Sequence, residues 1–485
     1  MAPLLLSVRK VDITPRGSVS LLGYFNRRIS TGVRDPLQCR IARLSLEGEE
    51  GSDLFFIVID TCYILKEDAD RIKTGIEKRT GVPPARVMIS ATHTHTAPAL
   101  ADFFETEMER EYLAEMEEKI LDAVSETGEG SRVEMRVARL THPALSYNRR
   151  WYMKDGRVVT NPPKRSPLRD RPEGPADREV RVVLFFVDPG GTGTAGDSGS
   201  GVVERVGNTG GEYPAHGVPA ALFVNVSNHA DTVGGTLVSA DWPGFLERFV
   251  NRELERRFPG TPRDIPVFTL LAPQGNVNHF DFENPRCQTG YAEAERLGGA
   301  YADVVIEAIP RAKKVGVKTL GSCSREPRIS PAEIGEAELE RARSILAEEA
   351  RPGKEGGDLT SEDIFRGDPR VERLFARRLL EFQRARPASY RVPLQALEVG
   401  PAVFCGIPGE PFVEIGLALE ALDDGRFIVP VALANGYFGY IPLEEAFDRG
   451  GYEVRPGGSV LLSRGAAGVI LEEIKKMLKE GSLTR

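Results

Sequence analysis

The stretch Val87-Met-Ile-Ser-Ala-Thr-His93-Thr-His95-Thr-Ala-Pro98 begins as an apolar strand and ends as a polar turn. Side chains two positions apart in an extended chain point to the same face, so His93 and His95 are expected to project together beyond the strand. Two imidazoles presented in this way are typical of a divalent metal site, and zinc is the usual metal. Two solvated histidines at a strand end are the alternative, and the other ligands decide between these interpretations.

The composition of the 485-residue chain excludes several classes of protein. A net charge of −8 without a basic run argues against nucleic acid as a partner. The chain has no apolar run of about eighteen residues, so no transmembrane segment is expected. The amino-terminal residues lack the pattern of a signal peptide, which predicts a cytoplasmic protein. The cysteines are scattered without a C-x-x-C pair and are expected to be reduced thiols, and the oligomeric state stays open.

Apolar strands alternate with amphipathic helices along most of the chain. Residues 54–60 form a continuous apolar run, of the sort buried on both faces of a sheet. This rhythm predicts an α/β fold, which we interpret as a single domain over residues 1–485. Residues 189–212 are rich in Gly, Thr and Ser and predict a flexible insertion. Residues 331–385 contain charged helical patterns and predict a helical insertion.

Polar side chains follow the apolar strands at several further strand ends, where open α/β sheets place their functional sites. They are His229, Asn276, Asn278, His279, Glu410, Tyr437 and Tyr440. Each of them could also have a purely structural role, as a capping histidine, a turn residue or a packing tyrosine. Two imidazoles and one carboxylate with an open position form the ligand set of a catalytic zinc site. The remaining histidines, His142 and His216, fall in predicted loops and are interpreted as surface residues.

The order of these motifs resembles that of the neutral (non-lysosomal) ceramidases, zinc-dependent amidases that split ceramide into sphingosine and a fatty acid. The matching segments are Val11-Asp-Ile-Thr-Pro15, Ser90-Ala-Thr-His-Thr-His95, Tyr147-Asn-Arg149-Arg, Ser227-Asn-His229, Gly275-Asn-Val-Asn278, Pro408-Gly-Glu410 and Tyr437-Phe-Gly-Tyr440-Ile-Pro-Leu-Glu-Glu445. The resemblance covers almost the whole chain. It implies that family's catalytic domain, a mixed β-sheet flanked by helices with the active site at the carboxyl-terminal tips of the strands.

The resemblance also implies a site for one Zn²⁺ ion per chain. The residues that match the family's zinc ligands are His93, His229, Glu410 and Tyr440, and those that match its other active-site positions are His95 and Arg149. The implied reaction is hydrolysis of the amide bond of an N-acyl, ceramide-like substrate by a zinc-bound water, whose pKa the metal lowers to about 7. His95 and Arg149 are expected to stabilise the oxyanion. Tyr440 as a tyrosinate and His95 are both candidates for the general base.

The sequence departs from the family pattern in ways that affect the mechanism. The family's Gly-Asp-x-Ser loop reads Gly275-Asn276-Val-Asn278, so two amides replace an acid and a hydroxyl group. Asn276 and Asn278 are expected to donate hydrogen bonds to the substrate, and neither can act as a base at neutral pH. His279 is a candidate replacement for the lost hydroxyl group. The sequence also predicts no carboxyl-terminal immunoglobulin-like domain.

Two alternative functions stay open at this point. The first is a zinc hydrolase that acts on another small amide, ester or sugar derivative. The second is a non-catalytic binding protein with the same fold, an interpretation that the two asparagines favour.

Overall fold

The computed structural model describes residues 2–187, 219–258, 264–349, 353, 358–422 and 425–479. The predicted insertion at residues 189–212 and the predicted surface residue His216 lie outside these ranges. Within the described ranges, no helix is long and apolar enough to cross a membrane.

The strands of the main sheet come from the part of the chain between residues 4 and 315. Its strands are Leu4–Asp12, Gln38–Leu46, Leu54–Ile59, Val87–Ala91, Ser131–Thr141, Glu179–Val187, Pro219–Val226, Val267–Leu271 and Lys313–Val315. Most neighbouring strands are antiparallel. Leu54–Ile59 and Val87–Ala91 are parallel, as are Pro219–Val226 and Val267–Leu271. The sheet is therefore mixed, and the predicted α/β class is confirmed.

A second sheet covers one face of the main sheet. Its strands are Leu320–Arg325, Leu394–Val399, Ala402–Gly406 and Phe427–Val431, and the last two are parallel. Phe56 and Phe223 of the main sheet point to Phe404 of the second sheet, with ring centroids 4.7 and 5.8 Å from that of Phe404. Phe55, the sequence neighbour of Phe56, points to the opposite face and packs against helices. Because successive side chains of a strand point to opposite faces, the main sheet contributes to two separate apolar layers.

Helices cover the outer faces of both sheets, so the layers run helix, sheet, sheet, helix. Those on the main sheet are Lys66–Thr80, Arg110–Ser125, Asp241–Arg257 and Tyr291–Ala308, and those on the second sheet are Val413–Glu420 and Ala466–Lys479. Lys66–Thr80 ends at Gly81, whose φ of 77° suits a left-handed helix cap. The amphipathic faces of these helices close the core.

Helices within residues 331–385 pack beside the site described below. They are Glu336–Ala347, Ser361–Phe365 and Pro369–Ala385. The carboxylate of Asp368 accepts hydrogen bonds from the first free N–H groups of Pro369–Ala385 and thereby caps that helix. Phe375 on the same helix packs edge-on against Phe25 and Tyr452. Its ring centroid lies 5.4 Å from that of Phe25 and 6.2 Å from that of Tyr452.

The remaining elements are short. They are the helices Ala446–Arg449, Pro84–Arg86, Ile309–Arg311 and Tyr452–Val454 and the strands Gly32–Val33, Tyr147–Asn148, Arg150–Met153, Val158–Thr160, Arg169–Pro172, Leu237–Val238, Val277–Asn278, Arg328–Ile329, Tyr390–Arg391, Glu410–Pro411 and Tyr440–Ile441.

The carboxyl ends of the parallel strands meet at one end of the two sheets. In the loop after Phe427–Val431, the N–H of Ala432 donates to the carbonyl of Leu271 at 2.8 Å, and the N–H of Asn435 donates to that of Ile89 at 2.7 Å. The side chain of Asn435 in turn accepts from the N–H of Ile89 at 3.0 Å. This single loop therefore ties together strand ends from both sheets, and the polar residues that follow those strands come close to one another.

Candidate metal centre

His93, His229 and Glu410 place three potential ligand atoms within 4.8 Å of one another. Oε2 of Glu410 lies 3.0 Å from Nε2 of His229 and 3.4 Å from Nε2 of His93. Two ligand atoms bound to a tetrahedral zinc ion at its usual bond lengths are about 3.3 Å apart. All three side chains are buried. The group therefore fits one small divalent cation.

Backbone carbonyls fix the orientation of both imidazoles. Nδ1–H of His93 donates to the carbonyl of Cys62, and Nδ1–H of His229 donates to the carbonyl of Val277, both at 2.7 Å. In the neutral imidazole this tautomer, assigned from the partners, leaves a lone pair on Nε2 for a metal. Nε2 of both rings points towards Glu410, and the charge of that carboxylate raises the pKa of His93 well above its usual value although burial opposes the shift. Metal-ligating histidines are usually held by such a second hydrogen bond. The indole Nε1–H of Trp242 also donates to the backbone carbonyl of His229, at 2.8 Å.

The carboxylate of Glu410 is oriented by a tyrosine. The hydroxyl of Tyr437 donates to Oε1 of Glu410 at 2.8 Å, which leaves Oε2 facing the imidazoles. The ring of Tyr437 is stacked on that of Tyr63 at 3.7 Å between centroids. Burial alone would raise the pKa of Glu410, but the charge of His93 and hydrogen bonds from both histidines lower that pKa well below its usual range. Glu410 is therefore a carboxylate, the form that binds a metal.

The backbone at the site adopts conformations and close contacts that most side chains do not allow. Gly409 has a φ of 131°, and a Cβ atom there would lie 2.5 Å from the carbonyl oxygen of Gly439. A Cβ atom on Gly275 would lie 2.4 Å from the carbonyl oxygen of Glu410. His93 itself has a φ of 66°, an uncommon value for a residue other than glycine. Non-glycine residues in this region are often found at functional sites, where the surrounding structure holds them.

His95 lies on the more open side of the group. Its Nε2 is 3.3 Å from Nε2 of His93, and its side chain is half-buried. Tyr24 contacts the ring edge-on at 5.8 Å, and Arg28 donates to the backbone carbonyl of His95 at 2.6 Å. A Cβ atom on Gly23 would lie 2.5 Å from Cγ of His95, so a glycine is needed at that turn. Burial and the charge of His93 lower the pKa of His95 well below its usual range, which keeps the imidazole neutral.

Arg149 and Tyr440 lie against the opposite side of the group. Nη1 of Arg149 is 3.2 Å from Nε2 of His229, and its guanidinium carbon is 5.3 Å from the ring centroid of Tyr440. Tyr440 is paired with Glu410 in a short parallel bridge, which places it beside that carboxylate. Burial raises the pKa of Tyr440 well above its usual value, although Arg149 opposes this. Nε of Arg149 donates to the buried carboxylate of Glu453 at 3.0 Å.

The side chains of Asn276 and Asn278 bond to neighbouring segments. Nδ2 of Asn276 donates to Oε2 of Glu414 at 2.9 Å, and its Oδ1 accepts from the N–H of Val413 at 2.8 Å. Nδ2 of Asn278 donates to Oδ1 of Asn161 at 2.8 Å. These bonds fasten the loop that carries Val277 beneath His229. Donation from either amide to a substrate stays a prediction.

The predicted surface location of His142 is wrong. Its exposed fraction is 2%, and its ring lies against that of Tyr301, with centroids 5.5 Å apart. The helix Tyr291–Ala308 supplies Tyr301 and covers the turn, which the short polar sequence around His142 did not reveal. His142 lies apart from the potential ligand groups found among the described residues.

Several residues of the site were not selected from the sequence. Cys62 holds His93 through its carbonyl and also places Sγ 3.7 Å from Nδ1 of that ring. Cys62 and Tyr63 follow the strand Leu54–Ile59, so the strand-end criterion applied elsewhere could have found them. The sequence does not indicate a role for Glu453, because this residue is distant in sequence from Arg149 and follows no strand of either sheet.

Comparison with known proteins identifies the fold. No protein-family model matches the chain, and no curated protein does. The solved structure of neutral ceramidase from Pseudomonas aeruginosa matches with a TM-score of 0.69 and 16% identity, over 100% of this chain and 76% of that chain. A ceramidase complexed with C2 matches with a TM-score of 0.63 and 15% identity, over 97% of this chain and 74% of that one. The resemblance inferred from the motifs is therefore confirmed at the structural level: the chain has the fold of neutral ceramidase.

Proposed function

We propose that this protein is a zinc-dependent hydrolase that cleaves the amide bond of an N-acyl, ceramide-like substrate. The observation that carries the proposal is the buried group of His93, His229 and Glu410, in which two Nε2 atoms and one carboxylate oxygen converge. The solved structures with the same fold are ceramidases, which supports an amide as the bond that is cleaved. Fold alone does not establish activity, so the proposal rests first on the site.

The residues present fit a zinc ion in number, type and spacing. His93, His229 and Glu410 would hold it, and the bridge between Glu410 and Tyr440 makes Tyr440 the proposed fourth ligand. When bound, zinc supplies a Lewis acid and a water whose pKa is lowered to about 7.

Arg149 is proposed to stabilise the negative charge that develops on the carbonyl oxygen of the substrate. Its guanidinium is buried, and its contact with Nε2 of His229 at 3.2 Å places positive charge directly beside the ligand group. Hydrogen bonds to Glu453 and to the carbonyl of Gly275 hold it there at 3.0 and 2.8 Å. A preorganised donor of this kind contributes about 3–4 kcal/mol to transition-state stabilisation.

His95 is proposed to contact the reacting group and to move a proton at Nε2. A neutral imidazole is required of a base, and the lowered pKa of His95 keeps it neutral. Its position on the more open side of the site makes it the histidine that an entering amide meets first. Asn276 and Asn278 are proposed to shape this entrance through the loop that they fasten, and to donate to substrate where it displaces their present partners.

Metal content and hydrolysis, measured on the same samples, test the proposal. Elemental analysis of the wild type is expected to give about one zinc per chain, with zinc and activity both lost in His93→Ala and Glu410→Gln. Glu445→Gln replaces an exposed glutamate and serves as the matched control. Short-chain and long-chain N-acyl amides are the substrates. Hydrolysis by a zinc-free His93→Ala variant would overturn the assignment of the metal ligands.

The same experiment separates the alternative functions. Bound zinc with hydrolysis of esters but not amides would indicate a zinc hydrolase of another class. Bound zinc without turnover of any acyl substrate, or no zinc after zinc is supplied, would indicate a binding protein.

A further inference from the structure

Two buried hydrogen-bond acceptors face each other beside the metal centre. Nδ1 of His279 lies 3.5 Å from Oδ1 of Asp231. Nε2–H of His279 donates to the carbonyl of Gln288 at 2.7 Å, so Nδ1 of the neutral ring carries a lone pair. Neither Nδ1 of His279 nor Oδ1 of Asp231 has a hydrogen-bond partner among the residues that the structure describes. Buried acceptors without a donor are costly, so the pair is expected to take a donor from outside the described part of the chain.

Protonation of His279 does not remove this requirement. Burial lowers the pKa of His279 even though the carboxylate of Asp231 opposes the shift, so the neutral imidazole is favoured. The side chain of His279 is fully enclosed, whereas that of Asp231 is 18% exposed. A ligand can therefore approach the pair from the side of Asp231.

The pair lies between the two loops that hold His229. Asp231 comes two residues after His229, and the carbonyl of the intervening Ala230 accepts from the N–H of His95 at 3.3 Å. His279 comes two residues after Val277, whose carbonyl holds the ring of His229. A substrate whose amide reaches His95 and the proposed metal ligands can thus extend an adjacent group towards Asp231 and His279.

We propose that Asp231 and His279 form a subsite for an ammonium group on the amine half of the substrate. This assignment deepens the proposed hydrolase function and rests on it. An ammonium group has several N–H donors and a positive charge, so it can donate to both acceptors and pair with the carboxylate of Asp231. A hydroxyl group has one donor and satisfies one acceptor, and a methyl group leaves both acceptors unpaired. The preferred order of substrates is therefore ammonium, then hydroxyl, then methyl.

Three amides with the same acyl chain test this order. Their amine halves are ethylenediamine, ethanolamine and propylamine, which have the same number of heavy atoms and differ in the terminal group. At pH 7.5, the wild type is expected to favour the ethylenediamine amide over the propylamine amide by about 10- to 100-fold in kcat/KM. The difference is expected mainly in KM, because this contact is made equally in the bound substrate and in the transition state.

Variants of the pair assign the preference to these side chains. Asp231→Asn removes the charge without changing the shape, and it is expected to reduce the preference to about 3-fold or less. His279→Gln keeps a donor for the carbonyl of Gln288 and is expected to weaken the preference. Asp303→Asn, on an exposed position of the helix Tyr291–Ala308, is the control and is expected to keep it.

Equal kcat/KM for the three amides in the wild type would overturn the subsite, as would a preference that persists in both variants. Failure to hydrolyse any of the amides would contradict the proposed hydrolase function instead. The subsite is then tested by calorimetric binding of the same uncleaved amides. Tighter binding of the ethylenediamine amide by the wild type, lost in Asp231→Asn, supports the subsite, and equal affinities overturn it.

Discussion

Replacement of Glu453 by glutamine tests whether one buried carboxylate holds Arg149 in the candidate metal centre. Glu453 accepts hydrogen bonds from Nε of Arg149 at 3.0 Å and from Nη1 of Arg150 and the hydroxyl of Thr160, both at 2.7 Å. Glutamine keeps the shape of the side chain but removes the negative charge between two guanidinium groups. Arg150 retains Glu173 as a partner, whereas Arg149 retains the neutral carbonyl of Gly275, the ring of His229 and the side chain of Tyr440.

The expected loss of stability follows from these contacts. Removal of one member of a buried ion pair costs about 3–5 kcal/mol, because the other charge stays buried without compensation. An unfolding entropy of about 2.1 cal/mol/K per residue amounts to about 1 kcal/mol/K for 485 residues, so Tm should fall by about 3–5 °C. Scanning calorimetry measures this shift, with the exposed Glu445→Gln as the control.

Catalysis gives a second readout for the same variant. Because Arg149 is no longer held against His229, kcat of Glu453→Gln for an N-acyl amide should fall while its zinc content stays at that of the wild type. A Tm shift below about 1 °C combined with an unchanged kcat would refute the argument that Glu453 positions Arg149.

Two further predictions concern the carboxylate of Glu410 and a buried lysine. Tyr437→Phe removes the hydroxyl that orients Glu410 but keeps the stacked ring, so zinc affinity should fall about 10-fold or more in competition with a chelator, and unchanged affinity would contradict this role. Burial lowers the pKa of Lys73 to about 7, against 10.5 in the unfolded chain. Between these values the unfolded state binds the additional proton, so wild-type stability should rise with pH across that window. Lys73→Met should therefore be more stable than the wild type at pH 7, by up to about 4 kcal/mol, and should lose this advantage near pH 10.5. Urea unfolding across this pH range measures the difference, and parallel stability profiles of the two proteins would contradict the lowered pKa of Lys73.

Local patterns in the sequence are sufficient to predict the strands and the polar residues that follow them. The apolar run at residues 54–60 predicts a strand buried on both faces, and in the structure Phe55 packs against helices while Phe56 packs against the second sheet. His229 and Glu410 are candidates because each follows an apolar strand, and both strands end at the same end of the molecule. The polar residues come together because the carboxyl ends of the parallel strands meet there.

The division of the strands between two sheets could not be predicted in the same way. Leu320–Arg325 pairs with Leu394–Val399 although helices intervene between them in sequence, and both have the alternation expected of any half-buried strand. Periodicity reports that one face of a strand is buried, but it does not identify the element that covers that face. The pairing depends on side-chain packing between segments that are remote in the chain.

The chemical state of the site residues depends on such remote partners as well. Asn276 and Asn278 were expected to donate to a substrate, since an exposed amide in a loop has free donors. In the structure Glu414 accepts one hydrogen bond from Asn276 and Asn161 accepts one from Asn278, and these acceptors lie 138 and 117 residues away in sequence. Glu453 is 304 residues from Arg149 and compensates its charge. A strand end alone can therefore indicate which residues are candidate ligands. Their protonation and orientation follow only once the distant segments are in place, and the acceptor pair of Asp231 and His279 is visible only in the structure for the same reason.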